Sequence, residues 1–247
     1  MYSLIILLGY AKNPEKRYFR GYFITPHLNT DRKTRKRSTS SEQDEKMEMN
    51  EKGMVAEAIG SMAITLLVWG GISENAAPHD SAVMAGAAGV TLAIMWMTFR
   101  GSEILPIITI GRMAAGHTEW QQGTLNFLMQ LLGAFVGATV LAWQGETVFE
   151  AADALTATSA ATALLGGFLL MLVWDRLGGG WEAGAFVSVL LVAGVTLASA
   201  SSIGGTIADG HMADTDNFIA VFGTMIVGGI GAAAALMLGD QIFDEEE

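Results

Sequence analysis

Glu103 sits in the stretch Gly101-Ser102-Glu103-Ile104-Leu105-Pro106-Ile107-Ile108-Thr109-Ile110-Gly111, between two long apolar segments. Only eight residues, mostly apolar, separate it from Arg112, too few for a helix to cross a bilayer, which takes about 20. Pro106 stands near the start of that run, where a helix tolerates a missing N–H. The run therefore reads as a half-helix that enters a membrane and returns to the same face, or as a short amphipathic helix at the interface. An ionisable group at membrane depth is costly and faces a wet cavity or a partner. For Glu103 two roles are open: capping the half-helix, with Arg100 or Arg112 as an ionic partner, or meeting a permeating molecule directly.

Other residues that could do chemistry are few. Asp209, His211, Asp214 and Asp216 crowd one loop and suit a divalent cation, but their spacing is irregular, so an acidic solvated loop is expected and no metal. His117 and Trp120 belong to packing at a membrane interface. The sequence has no Ser/His/Asp set, no phosphate-binding glycine loop and no cysteine. It points to neither an enzyme nor a cofactor.

The elements that must position these residues are helical. Half the residues are apolar (51%), 16% are charged, and there are 30 glycines, a mixture that suits membrane helices packed through small residues. Apolar segments fall at about 55–73, 82–99, 123–143, 160–174, 183–200 and 217–239, with the half-helix at 105–113. Residues 1–52 differ: they hold eleven Lys/Arg and seven Asp/Glu, against three and eighteen in 53–247. The first block is expected to be a disordered basic extension, touching anionic lipid or lying upstream of the working protein, and residues 53–247 the membrane domain. Met1 to Leu8 are apolar but too short to span, with no positive charge ahead of them. The net charge of −11 argues against a nucleic-acid partner and, with no lysine after Lys52, resembles the acidic surfaces of high-salt proteins. Six spans with both termini inside the cell place Arg100, Arg112 and Arg176 on the cytoplasmic side, as the positive-inside rule asks. Gln130 to Leu141 and Met225 to Leu236 are Gly/Ala-rich segments that each close a half, the pattern of an inverted repeat.

Gly101 to Ala138, with Ala87 to Ala93 before it, resembles the first half of the aquaporin or major intrinsic protein family, and the likeness runs more weakly to about residue 240. Where that family has Gly-Ala-His-Leu-Asn-Pro-Ala-Val-Thr-Leu-Gly, this chain keeps Gly101, Pro106, Thr109 and Gly111. Glu103 replaces the His, Leu105 the Asn and Ile107 the Ala. The resemblance implies an all-α membrane protein built as an inverted repeat, six transmembrane helices and two re-entrant half-helices. It implies a homotetramer in a cell membrane, with lipid around it and one pore per subunit.

By the same resemblance, Ile203-Gly204-Gly205-Thr206 falls on the second pore loop's Asn-Pro-Ala-Arg. The narrowest ring falls on Ala85, a position near Leu191 or Gly194, Ala200 and Thr206, and Glu57 on an internal brace that accepts hydrogen bonds from the pore-loop backbone. The brace's repeat mate is Ala163. The function implied is a passive channel for water or small uncharged solutes of the glycerol or urea kind. The alternative is a non-conducting scaffold of the same fold; a membrane enzyme or metal transporter is the remote third.

Overall fold

A computed structural model describes residues 50–69, 81–143, 154–208 and 214–243. Residues 1–49 of the basic extension, Asp209 and His211 lie outside the described residues. Eight helices follow in order: α1 (Glu51–Val68), α2 (Ser81–Thr98), α3 (Pro106–Ala114), α4 (Trp120–Trp143), α5 (Ala157–Leu177), α6 (Trp181–Val192), α7 (Ala200–Ala208) and α8 (Thr215–Phe243).

Local chemistry sets their ends. The Asn50 side chain accepts the N–H of Gly53, so α1 begins at Glu51, two residues before the boundary read from composition. Thr156 and Ser159 form a capping box at the start of α5. Pro106 opens α3 at its first position. Asp214 takes the N–H of Asp216 at 2.9 Å, and so serves the start of α8.

Four helices among the described residues are long and apolar enough to cross a membrane: α2, α4, α5 and most of α8. α1 carries Glu51, Lys52 and Glu57 within its 18 residues. α6 is apolar but only 12 residues long.

The fifth segment, expected to run over 183–200, is corrected by the structure. α6 stops at Val192, because Gly194 turns the chain at φ +78°. The Gly194 N–H reaches the Leu191 carbonyl at 3.0 Å and the Val195 N–H the Leu190 carbonyl at 2.9 Å, the two bonds of a Schellman stop. A non-helical stretch then leads to α7, a second nine-residue half-helix.

The inverted repeat is visible in what packs on what. α1 lies on α4 as α5 lies on α8, and α2 packs on α6. α3 rests on α8 and α7 on α4, so each half lodges its half-helix against the closing span of the other. Close backbone approach makes this possible. A Cβ at Gly133 would run into the Ala58 carbonyl, and a Cβ at Gly231 into the Leu164 carbonyl. Those matched collisions align Ala58 with Leu164 and Gly133 with Gly231, and hence Glu57 with Ala163 and Gln130 with Gly228.

Candidate functional site

The first re-entrant segment leaves α2 through Gly101 (φ +88°) and turns again at Ile104, whose φ of +62° is rare for any β-branched residue. Such a conformation costs about 1–3 kcal/mol and persists only where its surroundings hold it. Here they do. Glu57, 1% exposed, accepts the Glu103 N–H on Oε1 at 2.6 Å and the Ile104 N–H on Oε2 at 2.5 Å. Consecutive N–H groups converging on one anion form a backbone nest.

Gln130 of α4 donates from Nε2 to Glu57 Oε2 at 2.7 Å and to Thr109 Oγ1 at 2.8 Å. Ser61 Oγ donates to the Ile104 carbonyl at 3.1 Å, and Trp96 Nε1 to the Glu103 carbonyl at 3.2 Å. The N–H and carbonyl groups of both Glu103 and Ile104 are thereby pinned by side chains of α1 and α2, with Gln130 of α4 bracing Glu57. Gln130 was invisible to sequence reasoning as a site residue. Its signal was a buried amide in an otherwise apolar span, which demands partners.

Glu103 does not cap α3. The first residue outside that helix is Leu105, and no side chain caps it. The Glu103 carboxylate instead reaches the far end of the half-helix, where Arg112 Nε lies 3.0 Å from Oε1. Thr118 donates to the same oxygen at 3.4 Å and accepts from Arg112 Nε at 3.0 Å. The Arg112 guanidinium stands 5.4 Å from the centre of the Trp174 ring, a cation–π distance. Pairing with Arg112 wins over capping because the backbone nest already holds the Glu103 N–H and directs its side chain away.

The ends of α3 and α7 meet. One pocket is lined by Leu105 at the start of α3, by Ser199, Ala200 and Ser201 at the start of α7, and by Ser61, Ile64 and Ile104. The void among them has no room for a water molecule. Ser201 Oγ and Thr65 Oγ1, 2.9 Å apart, tie the second half-helix to α1, and Thr65 in turn donates to the Ser61 carbonyl at 2.9 Å.

This geometry shifts the second pore loop. Leu105 precedes Pro106 at the start of α3; its repeat mate is Ser199, preceding Ala200 at the start of α7. Ile203, Gly204 and Gly205 lie a turn inside α7 and are buried. Gly204 sits against the backbone of Ala134 and Phe135 in α4. They seat the half-helix rather than form its leading end.

The positions assigned to the ring lie on α2, at the end of α6 and on α7. Ala200 belongs to the central pocket. Thr206 is about 9 Å further along α7 at 1.5 Å per residue, and its hydroxyl is spent on the Ser202 carbonyl at 2.6 Å. Gly194 is the exposed stop of α6, Leu191 packs half-buried on the apolar core, and Ala85 is buried in α2. Counting from Ser199 instead, Ser202 takes the place that the resemblance gave to Thr206. The serines were missed because the stretch holds no proline, and Gly204-Gly205 looked like the turn. Trp120 is 67% exposed at the head of α4.

No family model matches the chain, and no curated protein does. Among solved structures it is similar to the X-ray structure of the aquaglyceroporin from Plasmodium falciparum, with a TM-score of 0.53 at 17% identity. The match covers 77% of this chain and 92% of that one. At that identity the likeness is one of fold: this chain is a multi-pass membrane protein of aquaporin-like helical architecture.

Proposed function

We propose that the chain is a passive transmembrane channel for water, for small uncharged solutes of the glycerol or urea kind, or for both. The observation that carries this reading is the shared pocket between the leading ends of α3 and α7. Each helix N-terminus presents unpaired N–H donors and about half a positive charge. Two such ends meeting inside a membrane offer donors to a neutral solute and repel cations. Ser199 adds a hydroxyl beside them, whereas those of Ser61 and Ser201 give their hydrogens to the Ile104 carbonyl and to Thr65. Ser202, in the place that the resemblance gave to Thr206, is short and uncharged, so the pore discriminates weakly by size.

The reading includes a homotetramer with termini on the cytoplasmic side, where Arg100, Arg112 and Arg176 then lie. It treats residues 1–52 as an extension outside the channel domain, and it involves no chemical step and no cofactor. The structural neighbour, an aquaglyceroporin, belongs to the same class of function.

A second reading, a non-conducting scaffold, draws support from the tightness of that pocket and from apolar Leu105 at its mouth. Stopped-flow light scattering on vesicles carrying the protein decides between them. Water, glycerol or urea crossing faster than in empty vesicles is the expected result; rates equal to empty vesicles for all three would establish the scaffold.

A further inference from the structure

Among the described residues, three buried side-chain polar atoms have no hydrogen-bond partner: Glu103 Oε2, Trp174 Nε1 and Gln130 Oε1. Two of the three flank one guanidinium. Glu103 is 4% exposed and Trp174 7%, and Arg112 lies against both, 3.0 Å from Glu103 Oε1 and 5.4 Å from the centre of the Trp174 ring. A buried polar atom left unsatisfied is strongly disfavoured, so a lone acceptor and a lone donor beside the same cation call for an occupant.

Their surroundings say what kind. Trp96 fixes the Glu103 backbone through its carbonyl. Gly179 borders the indole nitrogen: a Cβ there would come within 3.0 Å of Trp174 Nε1 and 2.8 Å of Trp96 Cγ. The Glu103–Arg112 pair is internally neutralised. A cationic guest would be repelled by Arg112 and an anionic one by Glu103. What remains is an acceptor, Oε2, and a donor, the indole N–H. That combination suits a neutral molecule whose hydroxyl gives its hydrogen to one and offers its oxygen to the other.

We infer that Glu103, Arg112 and Trp174 form a binding station for a small neutral hydroxylated solute, at the end of α3 away from the central pocket. A place on the permeation route rests on the channel reading; occupancy of the station does not.

The test uses the full chain with nitrogen-labelled indoles in detergent micelles. The sequence has six tryptophans, and the signal lost in Trp174→Phe is the one of interest. This substitution keeps the ring beside Arg112 and removes only the N–H. Titration with glycerol is expected to shift that signal saturably while the other five stay in place. Glu103→Gln, which weakens the acceptor, is expected to raise the half-saturating concentration about two- to tenfold. No saturable shift, or an equal drift of every indole, overturns the station and leaves ordered water as the occupant.

In vesicles, Trp174→Phe is expected to lower glycerol flux more than water flux at unchanged melting temperature. Equal loss of both, or no loss, removes the station from the route. If parent vesicles conduct nothing, the channel reading fails by itself, and the titration still decides binding.

Discussion

In the first half of the molecule, residues 102–109 are buried without exception, and the Glu103-Ile104 turn is held by Glu57, Ser61, Trp96 and, through Glu57, Gln130. In the second half the matching stretch begins with exposed Ala193 and Gly194, and Val195, Thr196, Leu197 and Ser199 are only half-buried. Where the first half has the Glu57–Gln130 pair, the second has Ala163 and Gly228. Ile107 of α3 comes within 3.0 Å of a Cβ placed on Gly228. The small residue there makes room for the other half's half-helix. One repeat unit thus holds its re-entrant segment by a buried carboxylate; the other packs Val195 to Leu197 against Gly166 and joins Thr196 to Thr162 at 3.1 Å, and the same topology tolerates both.

The comparison breaks most visibly at Glu57. Glu57→Ala strands two buried N–H groups, at about 1–3 kcal/mol each, and it releases a turn that needs holding. The expected result is a large fall in melting temperature in detergent, with faster amide exchange at residues 103–105 and little change at 195–199. Glu57→Gln keeps an acceptor and should be milder. Equal melting temperatures for parent, Ala and Gln variants would show that the grip contributes nothing.

What the halves share is sharpened by Gly133→Ala and Gly231→Ala. Each added methyl meets a carbonyl oxygen, of Ala58 or Leu164, and overpacking costs about 1–3 kcal/mol. The two variants should lose similar stability. A loss confined to one would mean that the repeat is not equivalent even where its backbones touch.

The smallest effect is expected at the link between α1 and α7. Ser201→Ala removes one neutral hydrogen bond and Thr65→Val two, the link to Ser201 and the bond to the Ser61 carbonyl, each worth about 0.5–1.5 kcal/mol. Their double mutant should lose less than the sum. Strict additivity would show the contact to be idle.

Much of the fold was legible because hydropathy and glycine content report membrane packing directly, and Pro106 announced the first half-helix. The second half-helix was displaced in the reading for a physical reason. A helix that starts at Ala200 without proline looks like a continuation of the apolar segment before it. The signal that divides them is Gly194, a residue whose left-handed turn no apolar run betrays. The expected places of Ile203 and Thr206 in the second loop rested on a boundary that α7 moves to Ala200. The Glu103–Arg112 pair was within reach of sequence reasoning, since both flank a short helix. Trp174 was not, because it stands 62 positions after Arg112 and nothing local marks it.

Glu57 also constrains how the chain is made. Its amide partner Gln130 lies 73 positions later, so α1 leaves the ribosome long before the group that completes its environment exists. A carboxylate near the middle of a solitary helix raises the cost of partitioning into lipid by about 2.5–3.5 kcal/mol on insertion scales. α1 is therefore a poor independent inserter. Its stable residence in the bilayer depends on retention beside the translocation machinery, or on re-entry, until α2 to α4 have emerged. The first half is expected to mature as a block of four helices, not as one span after another.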